Sequence, residues 1–273
     1  MNVPDYLMLK RDAEKRVATL VLNRPDRKNG MHWAFWEEFP EVVKALDADP
    51  DIRVVVVRGE GDGFSAGLDI MDLFQHKGDV LQGATAEQRE QLRHMIKQMQ
   101  RSMTEIAHSD KVWLAAVHGY CIGGGLDLIA ACDLRLASQD AFVSLREIQL
   151  AITADLGSLQ RLPPIVGDGV TRRWAFTGEN VSAEEAYRVG LFSEVLPNPE
   201  ALAQRTQELA EQLAAHSGIT LRGVKHILNY GLSHGPDDGL AYVATWNAAF
   251  LGSKDLAEAM AARMEKRPPK FTS

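Results

Sequence analysis

Positive charge is in short supply in this chain. Its 30 Lys and Arg stand against 37 Asp and Glu, a formal net charge of −7 over 273 residues. A surface of that sign repels nucleic-acid phosphates and anionic lipid, so neither is expected as a main partner, and an anionic ligand has to be met by local cations. Cysteine is scarcer still. Only Cys121 and Cys132 occur, both in the apolar stretch CIGGGLDLIAACDL. They read as two small buried thiols rather than a disulfide, which suits a reducing compartment. No apolar run approaches membrane-span length, the stretch MNVPDYLMLKRDAEKR has no apolar signal core, and KRPPKFTS is not a peroxisomal tripeptide. A soluble cytoplasmic protein is the expectation. His94, His108, His216, His226 and His234 share no metal-ligand spacing, so no metal is expected. Without a Gly-x-Ser-x-Gly motif a nucleophile-elbow hydrolase is excluded, and Ser65 and Ser144 lack an evident base. No low-complexity tract or fixed-period repeat stands out.

What is present is alternation of strand and helix. Tyr6–Lys10 and Arg16–Leu22 read as strands, followed by an amphipathic helix carrying Trp33, Trp36, Phe39, Val43 and Leu46, with Pro40 expected to distort its middle. The stretches IRVVVVR (52–58) and 112–117 run apolar without alternation, the pattern of strands buried on both faces. A loop is expected over 78–85, a long helix over 87–108, a helix from Gly123–Gly125 to near Cys132, and short strands near 133–137 and 141–143. Ser182 and Glu185 form a capping-box pattern. Three or four helices follow between Pro199 and Lys266. The fold class is therefore α/β, with a mixed core over 1–197 and a helical region over 198–273.

Two buried strands each lead into a turn of small residues and then a helix. The first turn is Phe64-Ser65-Ala66-Gly67-Leu68-Asp69. The second is Gly119-Tyr120-Cys121-Ile122-Gly123-Gly124-Gly125-Leu126-Asp127. Small residues let a ligand approach the backbone, and a helix start leaves N–H groups unpaired. Two such groups aimed at one point make an oxyanion hole. A single glycine-rich turn is equally explained by tight chain reversal. A dinucleotide site fits poorly, because Gly59, Gly61 and Gly63 do not give the required Gly-x-Gly-x-x-Gly.

Asn23-Arg24-Pro25 with Asn29, then FSAGLDI, then AAVHGYCIGGGLDLIAACDLRLAS, resemble the enoyl-CoA hydratase/isomerase (crotonase) family. REIQLAITADLGSLQRLP and FTGENVSAEEAYRVGLFSEVL extend the resemblance over nearly the whole chain, more weakly in the last 60 or so residues. It implies a crotonase-like spiral of ββα units with a C-terminal helical trimerisation region, a homotrimer or dimer of trimers, and a coenzyme A thioester as substrate, with no separate cofactor. It places oxyanion donors at the N–H groups of Ala66 and Gly124, and Gly125 along the acyl chain. Ser65, Ala66, Gly67, Leu68 and Asp69 would line the thioester channel. Arg24, Arg27 and Lys28 are candidates for CoA contacts, as are Lys266, Arg267 and Lys270 from the C-terminal end; each also reads as a solvated surface cation.

The family shares its oxyanion hole and varies its acids. Asp127, Glu147 and Asp155 each sit among apolar neighbours, where a carboxylate must be paired, neutralised or used. Singly, each also fits a cap or ion-pair partner; Asp155, ahead of Leu156 and Ser158, resembles an N-cap. Hydratases of the family carry Glu at the positions matching Asp127 and Glu147 and usually no acid at the position matching Asp155. The three acids together are similar to the Δ3,5-Δ2,4-dienoyl-CoA isomerases of unsaturated fatty acid β-oxidation. That resemblance implies proton transfer from C2 to C6 through a dienolate, with Glu147 and Asp155 at the two proton-transfer positions and Asp127 orienting or tuning them or sharing the shuttle. A 2-enoyl-CoA hydratase working through Asp127 and Glu147 is the nearest alternative, and a non-catalytic acyl-CoA-binding homologue a further one. His118, at a strand end, reads as a turn-bracing residue.

Overall fold

The computed structural model describes residues 3–273. An antiparallel pair, β1 (Leu7–Asp12) and β2 (Val17–Leu22), opens the fold, and helix α1 (Trp33–Asp47) follows. The helix runs unbroken through Pro40 although Pro supplies no N–H, and its Trp36, Phe39, Val43 and Leu46 are buried. Strand β3 (Val54–Gly59), helices α2 (Ile70–Gln82) and α3 (Ala86–His108), strands β4 (Val112–Val117) and β5 (Tyr120–Ile122), and helix α4 (Gly124–Ala131) come next. Then follow β6 (Leu134–Ser138), β7 (Phe142–Ser144), a 3-10 turn over Arg146–Leu150, and helices α5 (Ser158–Val166) and α6 (Asp168–Thr177). The chain continues through β8 (Val181–Ser182), α7 (Ala183–Arg188) and β9 (Glu194–Leu196) to α8 (Pro199–Ala214), α9 (Gly218–Gly231), α10 (Pro236–Phe250) and α11 (Lys254–Glu265).

The large sheet has the order β1-β2-β3-β4-β6-β9, parallel from β2 onward, and β5, β7 and β8 form a second, smaller sheet. A repeating unit is visible. A strand of the large sheet is followed by a short segment in the small-sheet layer and then a helix. Thus β3 leads to Ser65, bridged in parallel to Cys121, and on to α2; β4 leads through β5 to α4; β6 leads through β7 to α5. This is the ββα spiral expected from the resemblance.

The uninterrupted valines of β3 have a direct explanation. Val55 and Val57 join the core under α1, α3 and α4, together with Trp113, Ala115 and Val117. Val54 and Val56 face the other way with Val112, Leu114 and Ala116, and meet Leu202, Ala210 and Ala214 of α8. With both faces covered, neither can be polar.

One expected loop is helix instead. Residues 78–82 continue α2, which ends in a left-handed Gly83 cap. Asp69 accepts the Asp72 N–H at the start of α2, and partly buried Leu81 packs on the core near its end, so the glycine at 78 and a non-helical Lys77 bend the helix without ending it. Ser182 accepts the Glu185 N–H, the N-cap half of the expected box. Cys121 and Cys132 are free and buried. Among the described residues no helix is long and apolar enough to cross a membrane.

Candidate active site

The two glycine turns touch. Gly67 has φ +81°, and a Cβ there would lie 2.5 Å from the Ile122 carbonyl and 2.8 Å from the Gly124 nitrogen. Only glycine satisfies both the conformation and that approach. The first turn is held rigid from below. Ser65, fully buried, donates its hydroxyl to the Asn29 carbonyl at 2.8 Å and accepts the Gly67 N–H at 3.0 Å. Asn29 in turn donates to the carbonyls of Glu60 and Gly63. Ser65 is thus a brace for the turn and not a channel wall.

The donor expected at Ala66 requires correction. The Ala66 N–H already donates to the Lys28 carbonyl at 2.9 Å. One residue further, the Met31 N–H donates to the Gly67 carbonyl at 2.7 Å and the Asp69 N–H to the Met31 carbonyl at 3.0 Å, a parallel bridge of Met31 with Leu68. Along such a bridge alternate N–H groups point to opposite sides. The Leu68 N–H therefore points away from Met31, and it has no acceptor among the described residues. It is the unpaired donor of this turn. In the second turn, Gly123 (φ +52°) donates to the Ser144 carbonyl at 2.9 Å, and α4 starts at Gly124. The Gly124 N–H, in the first helical position, has no acceptor among the described residues either. Gly125 packs the helix onto the first turn, since a Cβ there would meet the Ser65 carbonyl at 3.0 Å.

The three acids converge beside these turns. Asp127, on the first turn of α4, is completely buried. Its Oδ1 accepts both the N–H and the hydroxyl of Ser158, each at 2.6 Å, while Oδ2 has no partner among the described residues. Burial pushes this carboxyl up to about 6, against the pull of the two Ser158 bonds and of Arg161, with Asp155 adding to the rise. Glu147, on the 3-10 turn, places Oε1 3.1 Å from where a Gly123 Cβ would stand, so Gly123 makes room for this carboxyl. Its Oε2 is buried without a partner. Burial pushes Glu147 up to about 7, and the charges of Asp127 and Asp155 add to the rise. Burial also raises the Asp155 carboxyl above the ordinary carboxylate range. Asp155 does not cap α5. The cap residue there is Gly157, and it is Asp127 that receives the first helical N–H. The Asp155 backbone carbonyl is gripped by Gln100 of α3 at 2.6 Å.

The cations divide. Arg24 donates to the Gly30 carbonyl at 2.6 Å and pairs with Asp69 at 3.3 Å, so both are joined to the first turn. Arg27 and Lys28 are exposed on the 3-10 turn just before Asn29. Lys266 and Lys270 are exposed after α11, and the Lys270 N–H donates to Glu258, which also pairs with Arg267. No hydrogen bond or ion pair among the described residues brings the side chains of Arg27, Lys28, Lys266 or Lys270 to the turns, although the Lys28 carbonyl accepts the Ala66 N–H. The His118 ring bonds the Gly61 carbonyl at 2.8 Å, the bracing role expected of it. The residues that sequence reasoning missed are Leu68 as a donor and Ser158 as the Asp127 partner. The only sequence signal for Ser158 was its place at the start of a helix.

A Lewis-basic carboxyl cluster near neutrality, next to two free N–H groups, suits proton transfer on a substrate whose negative charge gathers on one oxygen. The sequence matches the model of the family described as "Enoyl-CoA hydratase/isomerase" over residues 12–273. It is 40% identical over 265 residues to the peroxisomal Delta(3,5)-Delta(2,4)-dienoyl-CoA isomerase of Arabidopsis thaliana, covering 97% of this chain and 95% of that one. It is 38% identical to the mitochondrial Delta(3,5)-Delta(2,4)-dienoyl-CoA isomerase of Rattus norvegicus, covering 94% of this chain and 79% of that one. The crystal structure of an enoyl-CoA hydratase from Bacillus anthracis superposes with a TM-score of 0.88 at 29% identity, over 98% of this chain and 99% of that one. With its spiral of ββα units, its paired glycine turns and a match running almost from end to end, this chain belongs to the enoyl-CoA hydratase/isomerase family.

Proposed function

We propose that this protein is a Δ3,5-Δ2,4-dienoyl-CoA isomerase of unsaturated fatty acid β-oxidation. The observation that carries the reading is a third acid, Asp155, close enough for its charge to raise the carboxyls of Asp127 and Glu147, where a hydratase needs only two. The similarity to isomerases in plant and rat supports the same choice.

A 3,5-dienoyl thioester has an acidic proton on C2. Its removal gives a dienolate whose charge spreads to the thioester oxygen, C4 and C6, and protonation at C6 gives the conjugated 2,4-diene. Glu147 and Asp155 are the two proton-transfer groups. One must be ionised and the other protonated at the start, and burial that lifts both carboxyls toward neutrality supports that division. Asp127 orients and tunes them. The N–H groups of Leu68 and Gly124 hold the dienolate oxygen. Arg24, Arg27 and Lys28 are the candidates for CoA contacts near the first turn, and Lys266 and Lys270 would serve from a neighbouring subunit.

The assignment of residues 198–273 to oligomerisation has its support in the helices themselves. Helix α10 buries no residue, and Val224 and Leu228 of α9, Leu232 at its C-cap, and Met260 and Met264 of α11 are exposed. The cavity of about 1010 Å³ flanked by α9 contains none of the three acids and is lined by apolar side chains such as Ile165, Leu213 and Leu228. A homotrimer or dimer of trimers would cover these surfaces. Two unbridged buried thiols support a reducing compartment, and we place the protein in the cytoplasm.

The test is ultraviolet absorbance of the conjugated diene after mixing with a 3,5-dienoyl-CoA, beside a 2-enoyl-CoA hydration assay. Rapid diene growth with slow hydration is expected. Asp155→Asn should lose roughly a hundred- to thousand-fold in isomerisation while still binding acyl-CoA. Fast hydration with no diene signal would make the protein a hydratase working through Asp127 and Glu147.

A further inference from the structure

Asp127 and Glu147 share one buried corner of the site, and Asp127 is the one held by the donors of another residue. Asp127 Oδ1 receives two 2.6 Å hydrogen bonds from a single residue, the N–H and the hydroxyl of Ser158. Both oxygens that lack partners, Asp127 Oδ2 and Glu147 Oε2, are buried. Ser158 itself is fully buried and cannot exchange these bonds for water.

From this geometry we infer that Ser158 is a positioning residue, whose hydroxyl holds Asp127 ionised and turned so that its free oxygen faces the reacting acids, leaving the site's proton on the other carboxyls. The inference deepens the isomerase reading and rests on it for its catalytic consequence.

The physical basis is the direction of the bonds. A hydroxyl and an N–H that both donate to one carboxylate oxygen favour the charged form. Hydrogen bonds to charged groups are worth more than neutral ones, especially where the site is dry. The groups facing Asp127 from each neighbouring element are Glu147 on the 3-10 turn, Asp155 in the following loop, Arg161 on α5 and Cys121 on β5. Of these only Arg161 is cationic, and its guanidinium is spent on the Leu156 carbonyl and the Thr104 hydroxyl instead of on a carboxylate. Ser158 is therefore the direct hydrogen-bonding counterweight to burial at Asp127. An ionised Asp127 in turn raises the proton affinity of Glu147. Removal of the hydroxyl shifts the proton toward Asp127 and away from Glu147.

The experiment compares the full-length wild type with Ser158→Ala and Ser158→Thr. Ala deletes one bond and keeps the backbone N–H; Thr restores the hydroxyl. The readouts are the carboxyl titrations of 13C-labelled protein, with the Asp127 signal assigned through Asp127→Asn, and the pH profile of dienoyl-CoA turnover. In Ser158→Ala the Asp127 titration should move upward by about one pH unit, the Glu147 titration should move downward, and kcat should fall about ten-fold with little change in KM. Ser158→Thr should restore both titrations. An Ala variant that melts like the wild type but leaves the Asp127 titration and the pH profile in place would overturn the proposal. The titrations do not depend on which thioester is turned over. Absence of dienoyl turnover in the wild type, with the Asp127 titration still moved by Ser158→Ala, would therefore sink the isomerase reading and uphold the role of Ser158.

Discussion

Two regions of this molecule bury charge, and they do so in opposite ways. Beneath α9, the ammonium of Lys225 is almost fully covered, and it donates to the carbonyls of Ile106 and Lys111 at 3.0 Å each and to Asp133 at 2.9 Å. The same Asp133 oxygen accepts the Trp113 N–H at 2.7 Å. Every donor of the ammonium has an acceptor, and the cluster ties α9 to α3, β4 and the start of β6. At the candidate active site the pattern reverses: Asp127 and Glu147 each have a buried oxygen that nothing among the described residues satisfies. Buried polar groups are normally paired, so an unpaired one calls for a reason. The contrast separates burial that holds a fold together from burial that stores reactivity.

The comparison is sharpest if each region is broken separately. Glu147→Gln should lower isomerase turnover by about a thousand-fold, measured by diene absorbance, while the protein melts no lower than the wild type. Turnover within a few-fold of wild type would remove Glu147 from the chemistry. Lys225→Met should do the reverse. It strands the Asp133 carboxylate and two carbonyls, and should cost about 3 kcal/mol in denaturant unfolding with kcat nearly unchanged. An unchanged unfolding midpoint would show the cluster to be energetically neutral.

A finer cut separates the two N–H groups of the first turn. Replacing residue 68 by its α-hydroxy acid analogue turns the N–H into an ester oxygen and should slow turnover by about a hundred-fold. The same change at residue 66 removes a bond to Lys28 and should weaken the turn with a far smaller loss of rate. If the two sites responded in the opposite order, Ala66 would be the donor after all.

The smallest effect is on stability against pH. Glu147 holds its proton more tightly in the folded chain, up to about 7, than its ordinary 4.5 in the unfolded one. The folded state then binds more protons between those values, so stability falls as pH climbs through that window and levels off above it. Glu147→Gln should flatten that part of the melting profile. A wild-type profile rising across pH 5–7 on account of this residue would contradict the assignment.

Much of this was legible in the primary structure. Uninterrupted valines announced strands covered on both faces, and the cores under α1 and under α8 account for them. The paired glycine turns marked the family, and the triplet Asp127, Glu147 and Asp155 is what the proposed chemistry rests on. Errors fell where local signals competed with distant partners. Gly78 suggested a loop, yet α2 is capped at its start by Asp69 and packed near its end through Leu81, and it runs to Gln82. The Ala66 N–H, expected to be a free donor, is taken by the Lys28 carbonyl from a segment far back along the chain.

The sequence by itself determined which residue types are present to do chemistry, which segments can be strand or helix, and where the backbone can come close to a ligand, because these follow from side-chain size, periodicity and glycine. Only the tertiary structure decided which of those groups are free. Ala66 and Leu68 are two residues apart on one turn, and what distinguishes them is that the Lys28 carbonyl reaches the first and no carbonyl among the described residues reaches the second. Hydrogen-bond pairing between segments distant along the chain is a property of the packed fold, and it is that pairing which separates a structural group from a reactive one.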